Sequence, residues 1–209
     1  MGSVEIHPMQ RVAAATAVRC SAAIMYAELR NFTGTSEMLP PERALELVDD
    51  FFALARRVVE THGGELYDTH NDTLMAAFCD GRPVRDAQHA LSAAQDLLRE
   101  FGPLDDAWRR EYGLRASLAI GMHLGEIVLG LGGQGTLSRP HVLGDCVSIA
   151  NRLLHRARAG EYVLSDSMMG ALAAENLHLE AASLPALEIP RRPPVKLYGV
   201  LLDTGLDFT

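Results

Sequence analysis

The feature that most narrows what this chain can fold into is a hairpin set between two long amphipathic stretches. "GELYDT" (64–69) and "TLMAAFCD" (73–80) are short strand-like runs flanking "HND", a turn-forming segment. Upstream, "PPERALELVDDFFALARRVVETHGG" opens with prolines and closes with Gly-Gly, the asymmetry of a helix. Its residues Leu45, Val48, Phe51, Phe52, Ala55, Val58 and Val59 recur at helical spacing and predict the buried face. Downstream, "PVRDAQHALSAAQDLLREFG" predicts a second helix and "LDDAWRREYG" a short third. A hairpin pairs its strands antiparallel, so the pattern favours an α+β fold with one mostly antiparallel central sheet flanked by helices over a doubly wound parallel sheet.

The remaining segments fit that scheme. "SAAIMYAEL" (21–29) is short and apolar, suiting a buried strand. "LRASLAIGMH" and "GEIVLGL" read as two strands with a turn at Gly125. "GDCVSIANRLLHRARAG" reads as a helix closed by Gly160, followed by the strand "EYVLS", a short helix near 166–174, and C-terminal strands that include "VKLYGVLL". "RVAAATAVRC" suggests a short helix within an N-terminal extension, residues 1–20. The main domain is expected over residues 21–202, with a tail over 203–209.

At 209 residues and 48% hydrophobic, the chain is large enough for one domain with a substantial core. Nineteen basic residues against 27 acidic ones give a net charge of −8, with no long basic block. A nucleic-acid strand and an anionic membrane surface are therefore poor partners. A small anionic ligand is still compatible, because a divalent cation and local groups can overcome the overall sign. The three cysteines, Cys20, Cys79 and Cys146, show no paired spacing, which points away from a zinc site or a disulfide framework and fits a reducing cytoplasm. "MGSVEIHPMQ" has neither the basic nor the apolar run of a signal peptide, and "LGEIVLGLGG" is too short to span a bilayer.

Two groups of residues carry candidate chemistry. Glu28 ends the first predicted strand and Asp72 lies in the hairpin turn. If those strands are sheet neighbours, the two carboxylates sit at one end of the sheet, where a hard divalent cation would relieve their repulsion. "LRNFTG" follows Glu28 and offers backbone amides to phosphate oxygens. On the helix of "GDCVSIANRLL", Ser148 and Arg152 are four residues apart and project from one face with Asp145 and His155. An arginine there is a fork-shaped, permanently charged partner for a phosphoryl group. Each group by itself also fits an ordinary charged strand end or a solvated helix face. His123 reads as a structural histidine at a strand end.

In order, "AIMYAELRNFTG", "THGGELYDTHNDTLMAAF", "AIGMHLGEIVLGLGG" and "HVLGDCVSIANRL" resemble the class III nucleotidyl cyclase catalytic domain, the family of many adenylate and guanylate cyclases. The resemblance implies a ferredoxin-like (palm-type) fold, a head-to-tail homodimer with active sites at its interface, and Mg²⁺ or Mn²⁺ as cofactor. It implies ATP or GTP as ligand and a role in cyclic-nucleotide signalling; if active, the chain would be a phosphorus–oxygen lyase. Position by position, it places metal ligands at Glu28 and Asp72 and a phosphate loop at Leu29, Arg30, Asn31, Phe32 and Thr33. It places base recognition at Asp68 and His141, and transition-state contacts at Ser148 and Arg152. Only Asp72 and Arg152 keep the family's residue. Glu28 stands for aspartate, Asp68 for the lysine of adenylate cyclases, His141 for aspartate or threonine, and Ser148 for asparagine. The triphosphate-binding lysine falls on Ile189, with Arg191, Arg192 or Lys196 as substitutes. These departures predict a protein that binds a purine nucleoside triphosphate with a divalent metal and has weak or no cyclase activity. An active cyclase and a non-catalytic dimerisation module are the alternatives.

Overall fold

A computed structural model describes residues 17–132 and 139–201. The rest of the N-terminal extension, residues 1–16, and the tail from 202 lie outside the described residues, as do residues 133–138. In chain order the strands are β1 (Ala17–Arg30), β2 (Glu65–His70), β3 (Thr73–Phe78), β4 (Ser117–Gly132), β5 (Arg139–Leu143), β6 (Glu161–Ser165), β7 (Ala182–Leu187) and β8 (Val195–Leu201). The helices are α1 (Thr33–Ser36), α2 (Pro41–Thr61), α3 (Pro83–Tyr112), α4 (Asp145–Leu154) and α5 (Asp166–Ala174).

The strands form one sheet of order β2-β3-β1-β4-β6-β8-β7, with β5 added alongside β4. The β4–β6 pair is parallel and the others are antiparallel, so the predicted α+β architecture is the observed one. Strand alternation divides the core. Ala23, Met25, Ala27 and Leu29 of β1 pack with α2, α3 and α5, while Ala22 and Ile24 face the α4 side.

Six local features differ from the sequence expectation. Residues 17–20 begin β1 instead of ending a helix. On α2 the buried residues are Leu47, Phe51, Leu54, Ala55, Val58 and Val59, whereas Leu45 is 61% exposed, so the buried stripe is rotated from the predicted one. The second and third predicted helices are one 30-residue helix, α3, which runs through Pro103. Its C-terminal half is held by aromatic packing: the Trp108 ring lies edge-on to Phe101 at 5.6 Å and near Phe32 at 5.9 Å. Strand β4 passes straight through Gly125. The glycines of β4 serve the close approach of α4: a Cβ on Gly121 would stand 2.1 Å from the Leu154 nitrogen, and one on Gly125 would lie 3.3 Å from the Cys146 Cβ. Helix α4 itself stops at Leu154, well before Gly160. His123 is thus an interior strand residue; burial lowers its pKa to about 4, and Ser167 Oγ lies 3.4 Å from its Nδ1.

Candidate active site

The site is built around the end of β1. Glu28 lies opposite Thr73 in the β1–β3 ladder, and the Leu29 N–H donates to the Asp72 carbonyl at 3.1 Å. The hairpin therefore brings residues 28 and 72 into adjacent rows of the sheet. Asn71 enters the turn with φ 54°, a conformation asparagine tolerates.

The two side chains have different surroundings. Glu28 lies on the α4 face, where Arg30, two residues on, is its ion-pair partner and the Thr73 hydroxyl donates to Glu28 Oε1 at 3.4 Å. Its Oε2 is buried and, among the described residues, has a counter-ion but no aligned hydrogen-bond donor. Arg30 also donates to the carbonyls of Leu154, at 2.9 Å, and Ala157, at 3.5 Å, just where α4 ends and a cation is favoured. Asp72 lines a recess of about 320 Å³ with Phe32, Ser36, Leu45 and Val48 on the α2 side, and Glu28 is not among its walls. Among the described residues no group of three or more His, Cys, Asp or Glu gathers to hold a metal. The donor set still suits a hard divalent cation in kind: two carboxylates, with phosphate and water oxygens to complete the shell. The structure does not bring the two carboxylates together on one face: a shared ion requires Glu28 to exchange from Arg30 and Asp72 to turn out of its recess.

The loop after Glu28 is short. Leu29 and Arg30 are still strand residues, and the Leu29 amide is committed to the hairpin. Asn31 turns the chain at φ 62°, Phe32 is buried against Trp108, and Thr33 opens the single turn of α1, its side chain outside the described set.

Asp68 and His141 do come together. They share a cavity of about 690 Å³ with Tyr26, Tyr67, Met75, Val142 and Val147, and its outer wall carries Arg56, Glu60 and Glu65. That volume falls in the range of about 300–1,000 Å³ usual for small-ligand sites. A register shift between Leu66 and Asp68 interrupts the β2–β3 ladder and re-aims the strand beside the cavity. Burial raises the Tyr26 pKa, and the Asp68 charge adds to the rise. Burial and a 2.7 Å hydrogen bond to Glu65 hold the Tyr67 phenol well above its usual value. Both phenols therefore stay neutral donors at physiological pH.

Ser148 and Arg152 lie on the exposed side of α4, and neither lines this cavity, whereas Val147 does. Ile189, at the lysine position, is partly buried against the core cluster that holds Leu197; of the three substitutes, Arg192 is ion-paired with Asp145, and Arg191 and Lys196 are exposed. Arg30 belongs to the surroundings of Glu28 beyond the expected metal ligands, and the two-residue period of a strand already places it on the same face.

A family model described as the adenylate and guanylate cyclase catalytic domain matches residues 16–199. An adenylate cyclase of Anabaena cylindrica is 30% identical over 131 residues, covering 62% of this chain and 26% of that protein. Guanylate cyclase 2G of Mus musculus is 28% identical over 170 residues, 77% of this chain and 14% of that one. The chain thus spans about a quarter or less of the length of these relatives. Among solved structures, the adenylyl cyclase CyaB of P. aeruginosa superposes with a TM-score of 0.82 at 21% identity, covering 90% of this chain and 97% of that one. The guanylyl cyclase Cya2 gives 0.77 at 23%, covering 88% and 93%. A family match over nearly the whole sheet, together with these superpositions, establishes that the chain belongs to the adenylate and guanylate cyclase catalytic-domain family.

Proposed function

We propose that this chain binds ATP or a related purine nucleoside triphosphate together with Mg²⁺ or Mn²⁺, and that it turns the nucleotide over weakly or not at all. The observation that carries the reading is the cavity shared by Asp68 and His141, which has a volume usual for a small-ligand site and is lined by both polar and apolar side chains. Glu28 and Asp72 would hold the cation, which would neutralise phosphate charge and polarise the reacting oxygens when bound. Arg152 and Ser148, exposed on α4, would meet the nucleotide of a head-to-tail partner copy.

Low turnover follows from the substitutions. Glutamate at 28 is longer than aspartate and is occupied by Arg30. Serine at 148 has a shorter arm than asparagine, and loss of one preorganised donor costs about 10²–10³ in rate. A second reading, an active guanylate-forming enzyme, is favoured by one feature: the Asp68 carboxylate in the cavity can accept from the N1–H and 2-amino groups of guanine but cannot donate to adenine N1. Calorimetric titration with ATP and GTP in the presence of Mg²⁺ or Mn²⁺, with product assayed on the same sample, separates the two. Binding without product supports the first reading; rapid product formation overturns it in favour of the second. Among the described residues no helix is long and apolar enough to cross a membrane.

A further inference from the structure

Cys20 and Cys79 are 59 positions apart and follow no spacing rule, yet the fold brings their sulfurs to 2.9 Å. Cys20 is on β1, half-buried, and Cys79 directly follows β3, the strand paired with β1. Disulfide sulfurs lie about 2.05 Å apart, so less than an ångström of approach closes a bond. Among the described residues no third metal-ligating side chain joins them, which argues against a metal site. We propose that Cys20 and Cys79 are a reactive dithiol that small disulfides such as glutathione disulfide convert to an intramolecular disulfide.

The surroundings assign the roles. Cys20, the more exposed of the two sulfurs, is the one a reagent reaches and so the attacking group, and the S–H that Cys79 turns toward it lowers its pKa. Cys79 is held protonated chiefly by that same hydrogen bond and by burial. Cys20 S⁻ attacks one sulfur of glutathione disulfide, forming a mixed disulfide and releasing one glutathione thiolate. With Cys20 now neutral, the main cause of the high Cys79 pKa is gone. Cys79 loses its proton to water and attacks the Cys20 sulfur, and the second glutathione thiolate leaves. The protein dithiol is oxidised by two electrons and the reagent disulfide is reduced to two thiols. Cys146 takes no part: it is buried, donates to the carbonyl of His123 at 3.4 Å, and burial pushes its pKa up to about 12. The pair packs beside Tyr67, a wall of the cavity shared by Asp68 and His141, so its redox state is set next to the candidate site.

The test treats the folded full chain with glutathione disulfide, quenches in acid, and measures intact mass and the mapped peptides. The expected product is lighter by two hydrogens, carries no glutathione, links residues 20 and 79, and keeps Cys146 as a free thiol. Cys79→Ser should trap one glutathione on Cys20, and Cys20→Ser should leave Cys79 reduced. A wild-type chain that stays fully reduced in excess reagent, keeps glutathione on Cys20, or links only between chains would overturn the proposal. The wild-type peptide map decides the matter even if a serine variant folds poorly.

Discussion

Arg30 ties Glu28 to the end of α4: one guanidinium nitrogen is ion-paired with the Glu28 carboxylate and another donates to the Leu154 carbonyl at 2.9 Å. The arginine stands where a cation bound to Glu28 would draw on the same charge. Arg30→Ala should therefore tighten Mn²⁺ binding, by up to about fivefold for a partly exposed ion pair. It should also cost about 1–3 kcal/mol of stability through the lost charge-assisted bonds to α4. Metal titration and urea unfolding of the same variant measure both effects, and unchanged metal affinity would show that Arg30 does not compete for Glu28.

Helix α4 sits against β4 with no room for a side chain at Gly121. A Cβ there would lie 2.6 Å from the Ala150 carbonyl oxygen and 2.7 Å from the Leu153 carbonyl carbon, both backbone atoms that cannot step aside. Gly121→Ala should destabilise the chain by about 3 kcal/mol or more, whereas Gly125→Ala, facing the side chains of Cys146 and His123 at 3.3 Å, should cost about 1 kcal/mol. Trp108, the single tryptophan and buried, reports unfolding in both. Equal costs would contradict the close helix–strand approach.

Two buried groups give stability opposing pH dependences. Asp86 is 1% exposed, and burial raises its pKa to about 7, with the neighbouring Asp80 charge adding to the rise. Its contribution is fully present below about pH 4 and is lost as pH rises toward 7, on the order of 3 kcal/mol in all. His123, lowered to about 4 by burial, does the reverse: stability is present above about pH 6.5 and falls as pH drops toward 4. The wild-type chain should therefore show a shallow profile between pH 4 and 6.5. Asp86→Asn keeps the oxygen that accepts from the Asp80 N–H and should leave only the acid-side loss. His123→Gln should leave only the decline toward pH 7. Urea midpoints at half-unit pH steps read both.

Glu28→Asp shortens the side chain by one methylene and weakens its reach to Arg30. If turnover is limited by carboxylate placement, the variant should form cyclic nucleotide faster than wild type, by as much as about 10²-fold. A steady-state product assay with Mn²⁺ checks this; no gain would move the deficit to Ser148 and Asp68.

The order of strands and helices was legible because each element carries its own period, and the hairpin at 70–73 with its turn residues fixed the antiparallel pairing. The breaks were less legible. Gly125 and Pro103 are turn and stop signals locally, but a strand needed room for α4 and a helix was pinned by Phe101 and Trp108, so tertiary packing overrode both. Leu45 misled because residues 41–61 hold more apolar positions than one buried face, and the spare leucine lines the recess beside Asp72. Within the site, the shared cavity of Asp68 and His141 needed the contact between β2 and β5, which no local pattern encodes. The Cys20–Cys79 contact likewise depends on the β1–β3 register.

A metal-dependent purine nucleotide site that uses Asp72 underlies the proposed function. Titration calorimetry of the wild-type chain and of Asp72→Ala with ATP and with GTP, each with Mn²⁺, measures this most directly. The predicted result is saturable binding by wild type, lost on chelating the metal and weakened at least tenfold in Asp72→Ala, a cost of about 1.4 kcal/mol or more. No heat with either nucleotide at millimolar concentration, or binding indifferent to both metal and Asp72, would contradict it.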